Sequence, residues 1–303
     1  MSPCYASNSG CLIKLSVIIP CYNAAQYIST QLTALQNQYW SEPWEVIVAN
    51  NRSTDGSMAI VESYKGQLPN LRVVDASARQ GQPYALNVGA ASAKGEALAF
   101  CDADDEVGPG WVAAMGEALS TYDFVACRID TEKLNPPWAY AALGNPQREG
   151  LQKIWYPPYL PHAGGGTLGV KRSLHDAIGG FDETLPYLHD TDYCFRLQRA
   201  GVKFYFVKDA VLYLRFRTKL SAILHQARHW AEYNVTVYKK YRLLTGNEVS
   251  QPWKRYLRDW KHLLRQISQP RCKKDFAILM WKLGWQIGLL QGSIKNRIHP
   301  VPL

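Results

Sequence analysis

The stretch Ala97-Leu-Ala-Phe-Cys-Asp-Ala-Asp-Asp105 joins an apolar run to three closely spaced carboxylates. The apolar half has the length and composition of a buried β-strand. Asp102, Asp104 and Asp105 follow within one turn, where their negative charges repel one another. A hard divalent cation relieves that repulsion and can also bind diphosphate oxygens. An isolated turn of this kind is more often a solvated acidic loop, so its meaning depends on its surroundings.

The preceding sequence alternates strand patterns with helix patterns. Three apolar runs rich in Val, Ile and Leu come first: residues 15–19, 45–50 and 71–75. Stretches suited to helices lie between them: residues 24–38, 56–65 and 83–93. Near-continuous apolar strands indicate burial on both faces, as in a parallel sheet, and the alternation predicts an α/β fold with right-handed crossovers. Ligands bind at the carboxyl ends of such strands, which favours a cation site at the carboxylate turn.

After residue 130 the alternation stops. Residues 135–159 form a predicted loop rich in proline and aromatic residues, and Gly164-Gly-Gly166 follows. The remaining predicted elements are helices over 171–178 and 190–200, strands over 203–207 and 210–214, and a helical segment from 219 to the end. Asp192 and Arg196 lie four residues apart and are expected to pair across a helix surface.

The charge is divided unequally along the 303 residues, whose net charge is +9. From Leu214 onward there are 18 basic and 4 acidic residues, so the body is mildly acidic and the tail is strongly basic. Three interpretations of the tail stay open: a solvated helical face, a surface for anionic membranes, and, last, nucleic-acid binding. No nucleic-acid motif accompanies the charge, so no such partner is expected. The apolar run 276–290 is too short to span a bilayer.

Cysteine usage and the first residues predict a reducing compartment. None of the seven cysteines forms a C-x-x-C pair, and Cys21, Cys101 and Cys127 lie in or beside strand patterns, where free thiols act as small core residues. Residues 1–14 carry no secretory signal pattern. The expected location is therefore cytoplasmic.

Polar and aromatic residues also follow the first two strands. The motifs are Ser16-Val-Ile-Ile-Pro-Cys-Tyr-Asn23 and Asn50-Asn-Arg-Ser-Thr-Asp-Gly-Ser57. Tyr22 is suited to lie against a nucleobase and Asn50 to pair with its edge. Ordinary turn and cap chemistry is the alternative.

Taken in order, these motifs resemble the family 2 glycosyltransferases, which have the nucleotide-sugar-binding GT-A fold. The resemblance runs from residue 16 to 217 and includes the segments Gly81–Gly95, Gly179-Gly-Phe-Asp-Glu183 and His189-Asp-Thr-Asp192. It implies a Rossmann-like, mostly parallel sheet flanked by helices over residues 1–217. The nucleotide-binding half would span about 12–130 and the acceptor half about 131–217. A basic, aromatic helical extension would occupy 218–303.

The resemblance also implies roles for individual residues. Nucleotide-sugar contacts fall to Pro20, Tyr22, Asn50, Arg79 and Asp102. Metal contacts fall to Asp104 and Asp102, acceptor contacts to Gly165, Gly166 and His189, and the general base to Asp190. The implied reaction is an inverting transfer, dependent on Mg²⁺ or Mn²⁺, from a UDP- or GDP-sugar to a hydroxyl of a glycan, lipid-linked or small-molecule acceptor. Cell-envelope polysaccharide synthesis, in the cytoplasm or at the inner face of the membrane, is the expected setting.

Three departures from the family pattern keep other functions open. The family often has Asp where this chain has Asn50, and many members have Glu where it has His189. Tyr213 stands near the place where some relatives carry a metal-binding histidine. A catalytically weak or inactive relative, acting as a nucleotide- or membrane-binding scaffold, is therefore an alternative. A nucleotidyltransferase is a weaker one, because no Gly-rich basic signature accompanies the first strand. Gln226-Ala-Arg-His-Trp230 resembles a motif of processive synthases, but its arginine is one place early, and we interpret it as a helix segment.

Overall fold

The computed structural model describes residues 12–68, 70–245, 252–267 and 270–299. Most of the segment 1–14, on which the prediction of no secretory signal rests, lies outside these ranges.

The first hundred residues form the parallel half of one sheet. Its elements are β1 (Leu15–Cys21), α1 (Ile28–Gln36), β2 (Trp44–Asn50), α2 (Ser57–Tyr64), β3 (Leu71–Asp75), α3 (Gln82–Ala91) and β4 (Ala97–Phe100). The strands lie in the order β3-β2-β1-β4, and all three pairings are parallel. The core strands are buried on both faces, as their apolar sequences predict; Val17, Ile18 and Ile19 are fully inaccessible to solvent.

The second half continues the same sheet with mixed strand directions. Its elements are β5 (Glu106–Val107), α4 (Trp111–Thr121), β6 (Phe124–Asp130), α5 (Pro137–Leu143), β7 (Leu168–Lys171), α6 (Arg172–Ala177), α7 (His189–Arg199) and β8 (Phe204–Tyr213). The full order is β3-β2-β1-β4-β7-β6-β8-β5. The short strand β7 is antiparallel to both β4 and β6, while β6 and β8 are parallel. The predicted α/β class and mostly parallel sheet are confirmed.

Several predicted boundaries are wrong. The two strands predicted over 203–207 and 210–214 are one strand, β8, whose pairing with β6 shifts register after Val207. The exposed residues Lys208 and Asp209 occupy that irregularity, which is why the apolar pattern breaks there. Helix α1 begins at Ile28 and not near Ala24, because turns precede it. Cys21, Cys101 and Cys127 are buried free thiols, as predicted.

Three helices follow the sheet: α8 (Leu220–Thr245), α9 (Pro252–Gln266) and α10 (Lys273–Asn296). Helices α8 and α10 run side by side in the same direction. Successive glycines of α10 contact successive turns of α8, which shows that the two helices are parallel. At Gly288 a Cβ atom would lie 2.0 Å from the Arg228 carbonyl oxygen, so only glycine permits this approach. None of the helices in the described ranges is both long and apolar enough to cross a bilayer. The predicted division at residue 217 stays a prediction.

Candidate active site

The carboxylate turn after β4 is held by a buried glutamine from α1. The Gln31 side chain donates from Nε2 to the Asp102 carbonyl oxygen at 3.1 Å and accepts from the Val107 amide at 2.9 Å. One amide group therefore fixes both ends of the turn. The backbone of residues 102–105 is positioned by this contact before any ligand binds.

The three carboxylates of the turn have different surroundings. Desolvation, followed by the charges of Asp104 and Asp190, raises the pKa of Asp102 to about 7, although Gln82 donates a hydrogen bond to its Oδ1 at 2.7 Å. Asp104 is partly exposed and lies 3.6 Å from Nη1 of Arg217. The turn thus concentrates negative charge that its neighbours only partly offset.

Asp105 is almost fully buried and has one unpartnered oxygen. Its Oδ1 accepts from the Arg215 amide at 2.8 Å, while Oδ2 has no hydrogen-bond partner in the described part of the chain. Desolvation and the neighbouring carboxylates of Asp104 and Asp102 raise its pKa well above the usual range. The Arg215 side chain also donates to the Asp104 carbonyl oxygen at 2.9 Å, so the segment after β8 is tied to the turn.

A single 3₁₀ turn, Gly165–Thr167, brings Asp102 and Asp190 together. Gly165 donates its amide hydrogen to Asp190 Oδ2 at 2.9 Å. The next residue, Gly166, faces the other carboxylate: a Cβ there would lie 3.0 Å from Asp102 Oδ2. The charge of Asp190 contributes to the raised pKa of Asp102, which agrees with this proximity. The end of β4 and the start of α7 therefore meet at one place.

His189 lies buried beside Asp190 with neither ring nitrogen hydrogen-bonded within the described ranges. Desolvation lowers its pKa, so the neutral imidazole is favoured. The ring packs edge-on against Phe181, with centroids 5.6 Å apart. Leu188, just before it, has a left-handed backbone with φ of 57°. Two unpartnered polar atoms and an unusual backbone at the start of α7 are features common at binding sites.

A single large cavity, of about 1250 Å³, joins these groups. Its wall contains six of the residues that the sequence predicted for the site: Asp102, Asp104, Gly165, Gly166, His189 and Asp190. Another part of its wall comes from the C-terminal helices and includes Trp230, Trp281 and Trp285. Sequence reasoning assigned no site role to these tryptophans.

The residues predicted for the nucleobase side lie at the same sheet edge but not in this wall, as far as the described residues define it. Pro20 is the next-to-last residue of β1 and is partly buried, and Tyr22, just beyond the strand, is 52% exposed. Asn50, at the paired end of β2, accepts a hydrogen bond from the Ser53 amide at 3.0 Å. Arg79 forms an ion pair with Glu183 and packs over the Tyr84 ring.

Two arginines near the carboxylate turn were not predicted from the sequence. Tyr213 does not belong to the described cavity wall; its ring lies 4.1 Å below the Lys133 ammonium group. Arg215 and Arg217 instead reach the carboxylate turn. Two arginines directly after a predicted strand were the available signal. The sequence did not indicate that this strand, β8, lies beside the carboxylate turn.

The carboxylate oxygens of the turn after β4 suit a hard divalent cation. Within the ranges that the structure describes, no group of three or more His, Cys, Asp or Glu side chains is arranged to hold a metal ion by itself. Mg²⁺ is commonly bound by one or two carboxylates together with substrate phosphates, which needs fewer protein ligands. Asp104, the raised pKa of Asp102 and the unpartnered oxygen of Asp105 fit that arrangement.

The sheet is mixed, a carboxylate turn follows the parallel strand β4, and a carboxylate in the first turn of helix α7 faces that turn. This is the architecture of GT-A fold transferases. The sequence profile of Glycosyl transferase family 2 matches residues 16–179, and the chain belongs to this family. The predicted family, fold and enzyme class, glycosyltransferase, are confirmed.

Individual relatives are similar over part of their length. An uncharacterized glycosyltransferase of Escherichia coli, YibD, is 37% identical over 43% of this chain and 36% of its own. Poly(ribitol-phosphate) beta-glucosyltransferase of Bacillus spizizenii is 38% identical over 32% of this chain. That alignment spans only 16% of the relative. The similarity thus covers well under two thirds of either relative.

Solved structures show the same fold at low sequence identity. The mannosyltransferase PcManGT from Pyrobaculum calidifontis, in complex with GDP-Man and Mn²⁺, has a TM-score of 0.61 at 19% identity. That comparison covers 94% of this chain and 87% of the mannosyltransferase. S. aureus TarS 1–349, in complex with UDP-GlcNAc, has a TM-score of 0.54 at 17% identity over 95% of this chain and 93% of TarS.

Proposed function

We propose that this chain transfers a sugar from a nucleotide-sugar donor to an acceptor hydroxyl, with inversion at the anomeric carbon. One observation carries the proposal: Asp102 and Asp190 meet across the Gly165–Gly166 turn in the wall of one cavity. A donor held by its diphosphate at the carboxylate turn would present its sugar toward Asp190. An acceptor on the Asp190 side would then attack from the face opposite the leaving group.

Asp190 is the proposed general base. Its two carboxylate oxygens accept hydrogen bonds from the Gly165 and Thr191 amides, at 2.9 and 2.8 Å, which fixes the side chain toward the cavity wall. Each oxygen retains a lone pair, so the carboxylate can take the proton of an acceptor hydroxyl within hydrogen-bond reach. The acceptor oxygen bonds to the anomeric carbon while the bond to the diphosphate breaks, through an oxocarbenium-like transition state.

Asp104 and Asp102 are the proposed ligands for Mg²⁺ or Mn²⁺. The ion would supply positive charge that stabilises the departing nucleoside diphosphate. Arg217 lies beside Asp104 and is mostly exposed, so it can contact the same phosphates. The Mn²⁺ in the PcManGT complex supports the choice of cation.

The residues that we assign to the nucleotide-sugar donor follow from the family resemblance and from their position at the sheet edge. Pro20, Tyr22 and Asn50 are proposed to contact the nucleobase, and Arg79 the base or diphosphate. Arg79 pairs with Glu183 through Nη2, and its side chain is 66% exposed, so its other N–H groups can contact a phosphate. UDP- and GDP-sugars are the proposed donors, supported by the UDP-GlcNAc and GDP-Man complexes of the two similar structures.

Gly165, Gly166 and His189 are proposed to contact the acceptor. The unpartnered nitrogens of His189 can exchange hydrogen bonds with sugar hydroxyls. The named relative that acts on poly(ribitol-phosphate) supports a cell-envelope polymer as the setting.

A cytoplasmic location at an anionic membrane surface is proposed for the C-terminal helices. Helix α9 exposes Leu257 and Leu264, the next residue after the helix, Ile267, is exposed as well, and basic residues of α9 lie beside them. This combination is typical of helices that lie in a membrane interface. Flotation with anionic liposomes should recover the protein at low salt and less of it at high salt. If the protein does not float with the liposomes at either salt concentration, membrane binding is contradicted.

Turnover of sugar nucleotides tests the proposed function. Purified protein is incubated with UDP- and GDP-sugars and Mn²⁺, and nucleoside diphosphate release is measured. We expect release by the wild type and its loss in Asp104→Ala, while Asp209→Ala, which removes an exposed carboxylate of β8, behaves like the wild type. No release from any donor would favour the scaffold alternative, and unchanged release by Asp104→Ala would remove the metal role.

A further inference from the structure

A row of aromatic side chains leads from the start of α7 to the C-terminal helices. Tyr187, three residues before Asp190, stacks on His229 of α8 with centroids 4.9 Å apart and ring planes at 3°. Next to His229, Trp230 contacts Trp281 of α10 edge-on at 5.6 Å. Trp281 in turn stacks on Trp285 at 6.2 Å. We call these five side chains the aromatic row.

All five side chains of the aromatic row line the cavity that contains Asp102 and Asp190. The cavity, at about 1250 Å³, is larger than the roughly 300–1,000 Å³ usual for a single small ligand. There is consequently room for a second ligand beyond the donor. Trp230 and Trp281 are carried by α8 and α10, which approach each other closely at Gly288, so this wall is part of the fold.

Polar side chains lie among these rings. Gln286, adjacent to Trp285, is 9% exposed, and its Oε1 has no hydrogen-bond partner in the described ranges. Lys282, adjacent to Trp281, also lines the cavity and donates to Gln266 at 2.9 Å. A purely apolar ligand would leave the buried Gln286 oxygen unsatisfied, at an energetic cost. A ligand with both an apolar face and hydroxyl groups matches this wall.

We infer that the aromatic row binds a saccharide portion of the acceptor, beyond the sugar or group that receives the transfer. Pyranose rings present flat C–H faces that pack on aromatic rings, and their hydroxyl groups can donate to Gln286 Oε1. This inference rests on the proposed function and assigns the acceptor class: a saccharide-containing molecule. It also gives the C-terminal helices a direct part in substrate recognition.

The test measures acceptor kinetics in the full chain with a panel of neutral di- and trisaccharides, together with a saccharide-free polyprenyl phosphate. With an active donor, nucleoside diphosphate release and product mass are followed. We expect saccharides to be glycosylated by the wild type, and Trp281→Ala to raise the acceptor KM at least tenfold with a smaller change in kcat. Trp281→Phe should recover most of this loss because it keeps a ring.

Phe276→Ala is the matched control, because Phe276 is an exposed aromatic residue of the same helix outside the described cavity wall. It should leave acceptor KM unchanged. Saturation-transfer NMR with the same saccharides provides a binding readout that does not need turnover, and thermal melting checks that each variant is folded.

The outcomes separate the two proposals. Donor turnover with no glycosylated product from any saccharide of the panel, or equal acceptor KM for Trp281→Ala and wild type, would overturn the inference and leave the transferase proposal standing. Use of the polyprenyl phosphate in place of saccharides would likewise overturn it. The absence of donor turnover and of saccharide binding would overturn both.

Discussion

Two aspartates on the first turn of α7, two residues apart, have opposite surroundings. Asp192 is fully buried and paired: Arg196 Nε and Lys240 Nζ each lie 2.7 Å from its carboxylate, and the Tyr241 hydroxyl donates to it at 2.9 Å. Asp190 points the other way, takes hydrogen bonds from two backbone amides, and faces the carboxylates of the turn after β4.

The difference separates a structural carboxylate from a reactive one. The Asp192 cluster has its charge neutralised inside the protein, so its geometry is complete without a ligand. The cavity cluster of Asp102, Asp104, Asp105 and Asp190 concentrates like charges beside space for a ligand, and one of its oxygens has no partner among the described residues. A donor with its cation would complete this second cluster.

Removal of the Asp190 charge should have the largest effect. Asp190→Asn keeps the size and the hydrogen-bond acceptor but cannot take the acceptor proton, so transfer should fall by roughly 10²-fold or more. Donor binding, measured by titration calorimetry, should be retained. Wild-type transfer rates in this variant would show that another group is the base.

Removal of the Asp192 charge should instead lower stability. Asp192→Leu leaves Arg196 and Lys240 without their shared partner; because both are partly solvated, we expect a loss of about 2 kcal/mol in the free energy of unfolding. Urea denaturation checks this. Asp176→Asn, on the nearby helix α6, is the control. A variant as stable as the wild type, with impaired transfer, would reverse the roles of the two aspartates.

Arg217→Ala should weaken nucleoside diphosphate binding by about tenfold, since a charged hydrogen bond to phosphate is lost. Lys208→Ala, which removes an exposed charge from β8, should bind like the wild type. Calorimetric titration with UDP and GDP in the presence of Mn²⁺ measures both. Equal affinity of Arg217→Ala and wild type would exclude Arg217 from the donor site.

Protonation of His175, which lies near Arg196 of the Asp192 cluster, should lower the free energy of unfolding as the pH falls. Desolvation lowers the pKa of buried His175 to about 4, so the folded state favours neutral imidazole. The contribution of the neutral His175 ring to the free energy of unfolding is fully present above the unfolded-state pKa of about 6.5, and it is lost as the pH falls toward 4. Between pH 6.5 and 5.5 this amounts to about 1 kcal/mol.

Thermal melts of wild type and His175→Gln across that interval test the linkage. The loss of stability with falling pH should be smaller in the variant, because it lacks the titrating ring. Identical pH dependence of the two proteins would contradict the assignment.

The sequence predicted the parallel half of the sheet well, because each of its strands is an unbroken apolar run buried on both faces. It did not predict β7, whose four residues follow a glycine turn and pair with strands distant in sequence. It predicted the Asp192–Arg196 pair correctly but not its burial, which depends on Lys240 and Tyr241 from α8.

The same limit applies to the site. Asp102, Asp104 and Asp190 were recognisable because local motifs carry them. The positions of Arg217 and the aromatic row beside the cavity depend on how the chain folds after β8, and helical periodicity contains no such information. Trp281 and Trp285 are spaced like ordinary core residues, so only the structure brings them to the cavity.

A crystal structure with a nucleoside diphosphate and Mn²⁺ tests the central claim most directly. We expect anomalous density for Mn²⁺ at the Asp104 carboxylate, with the diphosphate beside it and Asp190 facing the same cavity across Gly165 and Gly166. Nucleotide bound elsewhere on the protein, with Mn²⁺ away from Asp102 and Asp104, would contradict the account.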